Sequence, residues 1–149
     1  MTTVADEPPA LLTFDCTGTL FGLRDGVSVG SMYRAALMDV ATADLADAAA
    51  AVDALALDAA FGPAYKARDA SMPCFGAGSV SSEDWWRGVV RDTLEGARTP
   101  RHVIDALLPA AFDSLYHQSF VSAECWRLLP GAAEALRTLD TWRVARRVR

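Results

Sequence analysis

The chain has 149 residues, of which 52% are hydrophobic, the size and content of one domain with a packed core. A net charge of −5 with no basic stripe excludes nucleic acid as a partner. No run approaches the roughly 20 apolar residues of a membrane span, and residues 1–9 carry Asp6 and Glu7 without the apolar stretch of a secretory signal, so no membrane partner is expected.

Residues 1–10 are expected to be a flexible N-terminus. Leu11 to Phe14 then read as a short buried strand that delivers Asp15 to its carboxyl end, before a sharp turn at Gly18. Open α/β sheets place ligand chemistry at such strand ends, although the same residues also suit an ordinary strand and polar turn. Phe21 to Val27 is expected to be a Gly-containing flap. Its Arg24 and Asp25 would either touch substrate or form a solvated loop.

Val29, Met32, Tyr33, Ala36, Leu37 and Val40 recur at helical spacing and predict an amphipathic helix. Asp44 is placed to cap a second helix running through an Ala/Asp/Leu-biased stretch to about Arg68, with Pro63 threatening a break. Ser71 to Ser81 reads as a loop. Ser81 or Ser82 caps a third helix, with Glu83 and Asp84 favouring its first turn and Trp86, Val89, Val90 and Leu94 as its apolar face. On that helix Trp86 is expected in the core, and Trp85 either toward a cleft or exposed. Thr99-Pro100 signals the start of a fourth helix, which Pro109 should bend or split. Pro130-Gly131 opens a shorter helix to about Leu139, and Trp142 to Ala145 look like the start of a second strand.

Three segments carry a family resemblance. Asp15-Cys16-Thr17-Gly18-Thr19-Leu20 resembles the first motif of the haloacid dehalogenase-like hydrolase superfamily. Met72-Pro73-Cys74-Phe75-Gly76, followed by Trp85-Trp86 and Val90-Arg91-Asp92, is similar to the helical cap of one of its groups. Arg127-Leu128-Leu129-Pro130-Gly131-Ala132 with Leu136 resembles the return from cap to core. The resemblance implies an α/β fold: a Rossmann-like core, here only a first strand, one helix and the start of a second strand, with a mostly α-helical cap inserted. The implied division is 11–27 for the first core strand, nucleophile loop and flap, 28–122 for the cap and 123–149 for the return to the core.

The resemblance makes Asp15 the nucleophile of a phosphoric-ester hydrolase. Its second oxygen and the backbone carbonyl of Thr17 would hold Mg²⁺, while Thr19 would steady the turn or the phosphate. A carboxylate suits both tasks, being ionised at neutral pH and a hard oxygen donor. A small phosphorylated molecule is the implied substrate. Thr17 departs from the commonest pattern, which has a second aspartate there as general acid. That help is worth about 10²- to 10⁴-fold, although threonine also occupies this position in the P-type ATPases of the superfamily.

The family's later Ser/Thr, Lys and acidic pair are not matched. Lys66, the single lysine, lies in the cap region. The chain is therefore expected to be a truncated and inactive N-terminal part of such an enzyme, and self-association through exposed core strands is expected. The alternative is a non-enzymatic helical interaction module. The three cysteines, Cys16, Cys74 and Cys125, fit neither a disulfide scaffold nor a metal pattern and suit a reducing cytoplasmic setting. Cys16 is expected to be a buried, inert thiol. His102 and His117 are expected at the surface or the edge of the core.

Overall fold

A computed structural model of the protein describes the backbone of residues 12–147 and the side chains of residues 12–141. The expected flexible segment 1–10 lies outside the described residues. The chain forms two compact units, Arg24–Cys125 and a second one combining the chain up to Leu23 with the chain from Trp126 onward. The described residues are mostly helical with one two-stranded sheet among them, compatible with part of an α/β fold carrying a helical cap.

In the second unit β1 (Phe21–Leu23) pairs antiparallel with β2 (Trp126–Leu128), Gly22 opposite Arg127. Phe21 meets Trp126 edge to face at 5.2 Å. The expected strand at 11–14 is not found: Leu11 is outside the described residues, and Leu12, Thr13 and Phe14 are exposed, without a ladder partner. A strand exists only where a neighbour takes its backbone groups. The expected strand at Trp142 to Ala145 is corrected as well, because those residues continue a helix that spans Ala132–Arg147. Its interior contains neither glycine nor proline to stop it.

In the first unit, α1 (Val29–Val40) begins with Ser28 and Ser31 in a reciprocal capping box and buries Met32, Tyr33, Ala36 and Leu37 as the periodicity predicts. The single helix expected from Asp44 is two, α2 (Ala46–Ala50) and α3 (Ala54–Ser71). Asp53, not Asp44, supplies a cap, accepting from the Leu55 N–H at 2.9 Å. Asp44 instead accepts from the Thr42 hydroxyl. Pro63 does not break α3. Its ring lies on the exposed face while Leu57 and Ala64 anchor the helix on both sides.

The expected loop after Ser71 holds one turn, α4 (Pro73–Gly76), in which Cys74 and Phe75 adopt left-handed φ of 54° and 57°. That conformation costs roughly 1–2 kcal/mol per residue and is offset by seating Phe75 against Trp85 at 5.3 Å and Trp86 at 6.0 Å. A side chain on Gly76 would lie 2.5 Å from the Val80 methyl.

Ser81 caps α5 (Ser82–Gly96), accepting from the Asp84 N–H. The tryptophans are reversed from expectation. Trp85 is fully buried and donates its indole N–H to the Met72 carbonyl at 2.8 Å, whereas Trp86 is half-buried.

Helix α6 (Arg101–Ser114) starts one residue later than its signal suggested, with Pro100 at the cap position. Thr99 belongs to the end of α5: Arg98 takes the left-handed position at φ 60°, its N–H donates to Glu95, and the Thr99 N–H donates to Leu94. This is the Schellman closure usually made with glycine, and it leaves the buried Thr99 hydroxyl unpartnered. Pro109 does not split α6 into two helices; it lies inside one that buries Leu107, Leu108, Ala111 and Phe112. A π-helical turn (Leu115–Ser119) follows, then a 3₁₀ turn (Ala123–Cys125). The helix after β2 is α7 (Ala132–Arg147). No described helix is long and apolar enough to cross a membrane.

Truncating a buried tryptophan costs about 3–5 kcal/mol, so Trp85→Ala should lower stability by that amount and Trp86→Ala by less than half as much, measured by urea denaturation. A second expectation concerns pH. Burial of Tyr33, 2% exposed, holds its hydroxyl pKa well above the ordinary value of about 10. The unfolded chain then ionises this group before the folded chain does. Its contribution to stability is intact below pH 10 and declines above it. Tyr33→Phe should flatten that alkaline decline in melts recorded from pH 8 to 11.

Candidate functional site

The segment around Asp15 is built by one turn. The Cys16 carbonyl accepts from three successive N–H groups, Thr19 at 3.3 Å, Leu20 at 2.8 Å and Phe21 at 3.1 Å, and the Gly18 N–H donates to the Phe21 carbonyl at 2.8 Å. Gly18 makes the closure possible with φ of +83°, a region open to glycine at little cost. The turn brings Thr19 back over Asp15, where its hydroxyl donates to Oδ2 at 3.3 Å. One oxygen of this exposed carboxylate is thus engaged within the turn. Thr17 sits inside the turn, bridged to Phe21.

Of the expected site residues, Asp15 and Thr19 are therefore brought together, with Thr17 between them; all three are exposed. Cys16 is a correction. Its thiol is exposed rather than buried, since no strand neighbours cover this segment. The part played by its carbonyl went unread in the sequence, although glycine two positions on is the usual mark of such a turn. Among the described residues no group of three or more His, Cys, Asp or Glu side chains is placed to hold a metal ion.

The remaining candidates lie in the other unit or at its start. Arg24 and Asp25 are exposed, and the Arg24 N–H donates to the Cys125 carbonyl at 3.0 Å. Lys66 is exposed on α3, and His102 is exposed on α6. His117 Nε2 lies 3.8 Å from Asp113 and 3.9 Å from Glu83 at the surface. Glu83 also pairs with Arg87 at 2.6 Å, whose guanidinium lies over the Phe112 ring.

This chain, with its Asp-x-x-x-Thr turn and its helical unit, has known relatives, three curated proteins of one name that support its membership of the haloacid dehalogenase-like hydrolase family. It is 35% identical over 130 residues to haloacid dehalogenase-like hydrolase domain-containing protein 3 of Bos taurus, covering 85% of this chain and 45% of that protein. The proteins of the same name from Xenopus tropicalis and Xenopus laevis are 32% and 30% identical, again over 85% of this chain, which covers 60% and 46% of them. The chain spans about half the length of the curated relatives it matches. No family model matches it.

Exposure of Cys16 has a direct consequence. In the native protein Cys16 and Cys74 should react promptly with a thiol reagent, while half-buried Cys125 lags. Mass mapping of the labelled peptides checks this, and Cys16→Ser should remove one of the two fast sites.

Proposed function

We propose that the chain carries the nucleophile segment of a Mg²⁺-dependent phosphoric-ester hydrolase with a Rossmann-like core and a helical cap, acting on a small phosphorylated molecule. The observation that carries this reading is the Asp15 turn: an exposed carboxylate with one oxygen engaged by Thr19 and the other free, in a chain of this family. Oδ1 of Asp15 attacks phosphorus, the bond to the leaving oxygen breaks, and that oxygen takes a proton from solvent. Water then cleaves the aspartyl phosphate, releasing phosphate and restoring the carboxylate.

Asp15 and the Thr17 carbonyl are the donors that would hold Mg²⁺. One carboxylate, one carbonyl and waters suit an ion that keeps much of its hydration and shares the substrate phosphate. When bound, it supplies neutralisation of phosphate charge. Thr17 lacks an acidic proton, so ester reactivity follows leaving-group stability. Alkyl phosphates lose the 10²- to 10⁴-fold benefit of a general acid, and aryl phosphates with stable leaving anions lose little.

A test uses para-nitrophenyl phosphate with Mg²⁺, followed by borohydride reduction, which converts an aspartyl phosphate to homoserine. Modification mapped to Asp15 and absent in Asp15→Asn is the expected result, with at least a 10²-fold loss of any turnover. Equal phosphate release by Asp15→Asn would refute the assignment. The helical interaction module remains the second reading, favoured by the exposed apolar side chains of Leu12, Phe14, Leu128 and Leu136. It predicts no modification of Asp15.

A further inference from the structure

The Asp25-Gly26 pair takes no part in the Asp15 turn, and its chemistry sets it apart from the rest of the chain. Asp25 is the one aspartate followed by glycine, and the sequence contains no asparagine, whose deamidation would give the same product. The pair forms the tip of the connection from β1 to α1. There the Val27 N–H donates to the Arg24 carbonyl at 3.0 Å, and Gly26 has φ of +80°. This is a type II turn with glycine at the position that needs a positive φ.

Both residues are exposed, and a Cβ placed on Gly26 would meet nothing within 4 Å. Among the described residues the Gly26 N–H has no hydrogen-bond acceptor, so its nitrogen is held in no ladder. Glycine also brings no side chain to hinder the approach of that nitrogen to the preceding carboxyl. Rotation of the Asp25 backbone toward ring closure breaks the Val27–Arg24 bond, which is exposed and is readily exchanged for water. The small-residue pair Asp113-Ser114 differs in this respect, because it lies inside α6, whose ladder engages the Ser114 N–H.

We propose that Asp25-Gly26 is a site of spontaneous isoaspartate formation in the folded chain, ahead of every other aspartate. The Gly26 nitrogen attacks Cγ of the protonated Asp25 carboxyl. A C–N bond forms, the C–OH bond breaks, and the hydroxyl leaves as water with the proton from nitrogen. The product is a five-membered succinimide. Water then adds at one of its two carbonyl carbons, where the C–N bond breaks and a proton returns to nitrogen. Addition at Cγ restores aspartate. Addition at the backbone carbon leaves a free α-carboxylate, with the chain running on through Cβ and Cγ. Neither step needs an oxidant or reductant, and the final mass is unchanged. The connection between β1 and the Ser28 cap of α1 gains one backbone atom.

Prolonged incubation of the full chain at pH 6 tests this, read by an isoaspartyl carboxyl methyltransferase with labelled S-adenosylmethionine. Methyl label should build up with time. In step with it, an aspartate-specific protease should lose its cut between Arg24 and Asp25 and keep its cuts at other aspartates. Asp25→Glu, in which closure would need a six-membered ring, should lose the label with helicity by circular dichroism unchanged. A folded chain that gains no label at Asp25 overturns the proposal. That includes the case in which the urea-unfolded chain gains it, since the native turn would then be protective. Label that persists in Asp25→Glu, with the lost cut at another aspartate, overturns it as well.

Discussion

Two close approaches to α3 set the geometry of the helical unit, the first against backbone that leaves no room for a side chain and the second beneath an arginine side chain. Where α1 crosses, a Cβ on Gly30 would lie 2.0 Å from the Ala54 carbonyl oxygen, and the Gly30 N–H donates to Asp58 at 2.7 Å. Where α5 crosses, a Cβ on Gly88 would fall 2.3 Å from the Arg68 guanidinium, which reaches over that glycine to Asp92 at 2.6 Å. Each contact pairs a glycine with a polar group that must find its partner once water is removed. Together they fix the rotation of α3 about its axis. That rotation sends Leu57 and Ala64 inward, puts Leu55 outward and carries the Pro63 ring to the surface, where its lost hydrogen bond is least costly.

Much of this was legible wherever the information is local. The α1 stripe from Val29 to Val40, the Ser81 cap and the ordered family motifs all depend on residues a few positions apart, and each matches the structure or the comparisons. The misreadings share one cause, competition from a hydrogen-bond partner that periodicity and cap chemistry alone do not rank. Thr99 has the chemistry of a helix cap, but its N–H is taken by Leu94 as α5 closes through Arg98. Trp86 fits the apolar period of α5, but the Met72 carbonyl in the preceding turn selects Trp85 for the interior. Asp44 and Asp53 are chemically equal cap candidates; Thr42 occupies the first, and the second starts α3.

The Asp15 segment separates what a turn supplies from what a sheet supplies. Gathering three N–H groups on the Cys16 carbonyl, a left-handed Gly18 and the Thr19 hydroxyl on Asp15 are all satisfied within seven residues. The segment from Asp15 to Phe21 therefore encodes the local shape of its turn by itself. Burial of Leu12 and Phe14 is a different matter, since apolar side chains alternate into a core only when adjacent strands provide one. Among the described residues β1 and β2 pair only with each other, and both side chains stay exposed.

The alanine bias of residues 41–60, nearly uninformative as sequence, acquires a reason in α3. An alanine-rich helix removes little apolar area from water per residue. Its largest inward side chains are few, and it is held through the Gly30–Asp58 and Arg68–Asp92 pins and the rings of Phe61 and Tyr65. Small side chains are what permit such close crossings on the inner side. On the outer side the same small side chains, Ala56, Ala59 and Ala60 with Pro63, line an open recess that Asp92, Gly96, Ala97 and Arg98 complete, so one composition shapes both faces of α3.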